Sequence, residues 1–110
     1  MKDWQIVTQD ERATAILRGV FRLESPEAYD AAFSPIVAGL NAAGDSGYTV
    51  DITDATLMNS SGIRALADLV LAAKRTQLRV LFVAKRSVPW QLKTMASLQS
   101  LHAQLQVDLV

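Results

Sequence analysis

The run VDITDATLMNSSGIRAL, residues 50–66, changes character part-way along. Its first part continues YTVDITDA (48–55), which reads as a strand. From Ile63 onward the apolar residues Ile63, Leu66, Val70 and Ala73 fall at helical spacing. Arg64 and Asp68 lie four apart on the wet side, placed for an ion pair. Between strand and helix stand Asn59, Ser60, Ser61 and Gly62. A strand passing into a helix is the repeating unit of an α/β sheet.

The rest of the chain repeats that unit. WQIVTQ (4–9) and ATAILRGVFRL (13–23) are joined by Asp10, Glu11 and Arg12 and read as an opening hairpin. In the second run Ala15, Leu17, Phe21 and Leu23 share one face, and Gly19 marks a bulge or a close backbone approach. Ser25-Pro26-Glu27 starts a helix that reaches about Ala43, and Pro35 is expected to kink or split it near Phe33. GDSG (44–47) is a turn. LRVLFVA (78–84) contains an unbroken apolar run of the kind buried on both faces of a parallel sheet. Pro89 opens a last helix with Leu92, Met95, Leu98, Leu101 and Leu105 as its apolar positions, and QVDLV at the C-terminal end suits a short edge strand. The order ββαβαβα, with that last strand, predicts one α/β domain over residues 1–110. Its sheet is mixed and largely parallel with an antiparallel first strand, and its helices lie mainly on one side.

Composition narrows the function classes. Eleven basic and eleven acidic side chains cancel, so the whole molecule makes no case for nucleic acid or an anionic membrane. The charges are unevenly spread. Residues 1–60 hold nine carboxylates and four cations, residues 61–110 two and seven. Lys74, Arg75, Arg79, Lys85, Arg86 and Lys93 read as a solvated face, since no aromatic residue interleaves them closely enough to suggest base stacking. Without cysteine there is no disulfide, thiol catalysis or thiolate metal site, and a reducing cytoplasm fits. The first residues lack the apolar core of a signal peptide, and no run is long enough to span a bilayer.

Catalytic groups are sparse. His102, the one histidine, is expected on the final helix among leucines, at its rim. Asp51 and Asp54 flank Thr53 at the end of the third strand, where α/β sheets often bind ligands, although turn and capping roles explain two carboxylates as well. GDSG precedes a strand instead of linking strand to helix as a nucleophile elbow does, and no glycine-rich phosphate loop with lysine is present. The expectation is a protein that is not an enzyme and uses no cofactor or metal. The two serines remain. Any of Asn59, Ser60 and Ser61 could cap the helix, and Gly62 would let the chain turn into it. Capping requires one such side chain. It does not require two hydroxyls behind an exposed Met58-Asn59 approach, and a helix start also favours an anion such as a phosphate placed on serine.

The segment VDITDATLMNSSGIRAL resembles the signature of the STAS domain, shared by bacterial anti-sigma factor antagonists and the tails of sulfate transporters. In that family a strand ending Asp-Leu-Ser/Thr is followed by an acidic residue, Ser-Ser/Thr-Gly-Leu and a helix. Here those places hold Asp51-Ile52-Thr53 and Asn59-Ser60-Ser61-Gly62-Ile63. ATAILRGVFRLES resembles the family's second strand, LRVLFVAK its fourth and SLQSLHAQLQV its leucine-rich last helix. The resemblance implies a STAS-like fold and a cytoplasmic, non-catalytic switch. Its phosphoacceptor would be Ser60, and its partner surface would comprise Asn59, Ser60, Ser61, Gly62 and Arg64. It implies a partner of the serine kinase or anti-sigma type and a serine phosphatase that resets the switch. Asn59 stands where aspartate is more common. No attached membrane or sensor segment is read, which points to a free-standing regulator and not a transporter tail. Two alternatives stay open: a scaffold module that is never phosphorylated, and a small-ligand pocket at Asp51 and Asp54.

Overall fold

The structure, a computed structural model, describes residues 3–110. Strand β1 (Trp4–Gln9) turns through one 3-10 turn, Asp10–Arg12, into β2 (Thr14–Phe21). Helix α1 (Pro26–Ala43) leads to β3 (Tyr48–Met58), α2 (Ser60–Thr76) to β4 (Val80–Ala84), and α3 (Pro89–Leu101) to β5 (Gln106–Leu109). The five strands lie in the order β1-β2-β3-β4-β5, so neighbours in sequence are neighbours in space. Only the β1–β2 pair is antiparallel. Right-handed crossovers that step the same way along a sheet deposit their helices on one face, and α2 packs between α1 and α3.

One-sided cover corrects the reading of residues 78–84. In β4, Val80, Phe82 and Ala84 are buried while Leu81 and Val83 are only half-buried. Both lie on the open face, and the row through Val83 crosses it, where Val7 pairs with Ile16, Ile16 with Asp51 and Asp51 with Val83. The unbroken apolar run therefore reflects a central strand with one dry face and one partly wet one. The dry face meets Tyr29, Phe33, Ile36 and Leu40 of α1, Leu66, Leu69, Val70 and Ala73 of α2, and Met95 and Leu98 of α3 in a continuous core.

The helices bring three further corrections. Helix α1 runs unbroken through Pro35, which lies on its exposed side, so the carbonyl left unbonded there faces water while the buried stripe holds the helix together. Helix α3 ends at Leu101, and Leu92 and Leu101 are exposed at 42% and 39%. Its buried face is Gln91, Thr94, Met95 and Leu98, and Leu105 is buried in the turn before β5. Arg64 and Asp68 are both exposed on α2, as expected, but form no ion pair; among the described residues Arg18–Asp54 at 3.7 Å is the one pair present.

Gly19 bears out the expected close approach. Its φ is +95°, and a Cβ there would collide with the Asp3 carbonyl.

Helix α2 can be tested by its faces. Leu66 is fully buried, so Leu66→Ala should cost about 2–5 kcal/mol. Arg64→Ala and Asp68→Ala should each change stability by less than about 0.5 kcal/mol. Urea denaturation of the three variants measures this, and equal losses would contradict the packing.

Candidate functional site

Strand β3 is longer than its sequence pattern suggests, because it is bulged. Its buried residues are Tyr48, Val50, Ile52, Ala55 and Met58, so a spacing of two becomes a spacing of three after Ile52. The register against β2 slips twice over the same stretch, between Ile16 and Arg18 and between Gly19 and Val20. Each slip adds one residue to β3 and re-aims those that follow. The strand therefore continues past Ala55, where the sequence reading ended it, and Met58 is buried and not exposed.

This extension outruns its neighbour, since β3 pairs with β4 only as far as Asp51↔Val83. Bare carbonyls on the β4 side need donors. The start of α3 supplies them. The Gln91 side-chain amide donates to the Ile52 carbonyl at 2.8 Å and the Ala55 carbonyl at 2.9 Å, while its oxygen accepts from the Lys85 N–H at 2.7 Å. The Trp90 indole N–H donates to the Thr56 carbonyl at 3.0 Å. Gln91 and Trp90 thus hold the segment that leads into the serine pair. The sequence reading missed both. The one available signal was a glutamine on the core side of α3, at helical spacing from Met95 and Leu98.

The strand passes into α2 through one residue, Asn59. Its backbone N–H donates to the Phe21 carbonyl at 3.0 Å. Its side-chain oxygen accepts from the Gly62 N–H at 3.1 Å and from the Tyr29 hydroxyl at 2.6 Å. Its amide nitrogen donates to the Leu23 carbonyl at 3.0 Å. Asn59 alone is the cap, and an aspartate could not make the Leu23 bond because it has no donor. That explains the asparagine.

The serines are therefore free of capping. Ser60 is the first residue of α2 and exposed, Ser61 is half-buried, and neither hydroxyl makes a hydrogen bond among the described residues. The backbone N–H groups of Ser60 and Ser61 also lack a protein acceptor, as expected in a first helical turn. Arg64 follows Ser60 by one turn on the same face. Gly62 is buried within the helix; a Cβ there would come within 2.7 Å of the Tyr29 hydroxyl oxygen. Its role is room for Tyr29, and not a turn.

The other candidates lie elsewhere. Asp51 accepts from the Thr53 N–H at 2.9 Å and hydroxyl at 2.7 Å, and Asp54 pairs with Arg18. Each is engaged locally, and the structure does not bring them together with Ser60. His102 caps the end of α3, one residue beyond the helix. Among the described residues no three histidine, aspartate or glutamate side chains gather to hold a metal, and no helix is long and apolar enough to cross a membrane. Compared with models of protein families, with curated proteins and with solved structures, the chain matches none.

Burial pushes the Tyr29 phenol above its ordinary range, partly offset by its bond with the Leu23 backbone, and burial together with the charge of Asp10 raises Tyr48. A raised folded-state pKa contributes stability below the unfolded value, about 10 for tyrosine, and loses it as pH rises beyond. Stability should therefore fall above about pH 10, and Tyr29→Phe should flatten part of that fall in a pH series of thermal melts. Among substitutions, Asn59→Ala should cost about 2–3 kcal/mol and Gln91→Ala about 2–4 kcal/mol, because each strands several polar groups. Ser60→Ala should stay within about 0.5 kcal/mol of the parent. Denaturant midpoints check all three, and a large loss for Ser60→Ala would make that hydroxyl structural.

Proposed function

We propose that this chain is a non-catalytic regulatory switch of the STAS type, resembling anti-sigma factor antagonists, with Ser60 as its reversible phosphorylation site. One observation carries the reading: Asn59 takes the whole capping role, so an exposed hydroxyl at the first position of α2 has no structural task. The sequence resemblance places the acceptor at the same residue. Its partner is a protein of the serine kinase or anti-sigma type, and a serine phosphatase reverses the modification. The protein works in the cytoplasm by binding, without cofactor, nucleic acid or membrane.

Physical chemistry gives the switch its sign. A phosphate on Ser60 adds a charge of about −1.5 to −2. At the start of α2 it meets unsatisfied N–H groups and the positive end of the helix dipole, so the fold tolerates it. Arg64, one turn on, is exposed and forms no ion pair among the described residues, and its charge would be offset. The surface offered to a partner thus changes from locally cationic to anionic while the backbone stays in place. A partner seated over Ser60, Ser61 and Arg64 that accepts a neutral hydroxyl would reject the dianion. Asn59 and Gly62 act beneath that surface, as the groups that fix where the hydroxyl stands.

The test needs the kinase that acts on this chain. Phosphate incorporation followed by mass spectrometry should locate to Ser60, vanish in Ser60→Ala and persist in Ser61→Ala. In calorimetry, Ser60→Ala should bind the partner as the parent does. Ser60→Asp should bind at least tenfold more weakly, a loss of about 1.4 kcal/mol. Binding without phosphorylation would favour a scaffold module, and a thermal shift with a small molecule that depends on Asp51 and Asp54 would favour a ligand pocket.

A further inference from the structure

The strand order turns an uneven sequence into a polarised molecule. Sheet neighbours are sequence neighbours, so the acidic first half and the basic second half come to lie at opposite ends. At the β1–α1 end Glu24, Glu27 and Asp30 are exposed along the start of α1, while Asp10 and Glu11 are exposed in the β1–β2 turn, at the other end of those strands. At the β4–β5 end Arg79, Lys85, Arg86 and Lys93 are exposed. None of these charges is paired with another described residue, and Arg18–Asp54 is the one ion pair among the described residues. Both ends also stop at an open strand edge, because β1 pairs only with β2 and β5 only with β4.

We propose that copies of this chain dock end to end, the acidic β1–α1 end of one against the basic β4–β5 and α3 end of the next. The occupant is a second copy because the chain itself carries both complementary surfaces, each lacking an internal partner. The contact is heterologous. The two patches lie at opposite ends, so one docking event leaves a free patch at each end of the pair and growth continues instead of closing as a two-fold dimer. An unpaired sheet edge is a ready template for such addition. Attraction between exposed charges also depends on salt, with a screening length of about 30 Å at 0.01 M and about 3 Å at 1 M.

Sedimentation velocity on the full chain decides it. In about 0.01 M salt the weight-average mass should rise with concentration from the monomer's 12.0 kDa past that of a dimer, and in about 1 M salt it should return to monomer. Two variants reverse one end each: Glu24→Lys with Glu27→Lys and Asp30→Lys, and Lys85→Glu with Arg86→Glu and Lys93→Glu. Circular dichroism establishes that each is folded. Each alone should remain monomeric in low salt, since like ends repel, and an equal mixture should associate again. Restored association on mixing is the result a merely destabilised variant cannot produce. A parent chain that stays monomeric in low salt overturns the proposal. So does a closed dimer that does not grow, or association that survives 1 M salt or either reversal.

Discussion

Asn59 ties together the elements that surround the candidate site. Its backbone is bonded to the end of β2, its amide to the chain leaving β2, and its carbonyl oxygen to both Tyr29 on α1 and the first turn of α2. Such a residue leaves little freedom, since three elements must be in place before all its polar groups are satisfied. Gly62 belongs to the same arrangement, because only without a side chain can the second helix lie this close to the Tyr29 hydroxyl. The neighbouring serine hydroxyl is held at a defined point of the surface while making no bond of its own.

The fold was legible in the sequence where periodicity carries it. The hairpin, the crossover helices, the edge strand and the antiparallel first strand follow from apolar spacing and from Ser25-Pro26 and Pro89 as helix starts. The errors have a common physical origin. A bulge changes the spacing in β3 only because of its pairing with β2, and pairing cannot be read from one strand. The exposure of Leu92 and Leu101 follows from where α3 sits on the sheet, not from its own composition. Pro35 failed to split α1 because the helix turned that residue to water.

The candidate site was legible in part. The strand-to-helix junction with its two hydroxyls is visible as residue types at a boundary, and any of three side chains could have been its cap. Only the surroundings select Asn59, since its amide needs the carbonyl of Leu23, 36 positions away in the sequence. Gln91 was missed for a similar reason. Its partners are backbone groups, and no residue type announces a carbonyl left bare where β3 outruns β4.

That glutamine has a consequence for the order of assembly. The stretch of β3 carrying Asn59 and Ser60 depends on donors from residues 90 and 91, which a ribosome adds some thirty positions later. Until α3 emerges and docks, the carbonyls of Ile52, Ala55 and Thr56 lack the donors they have in the finished fold. In a nascent chain the stretch of β3 that leads into α2 therefore completes its hydrogen bonding only once the third helix is in place.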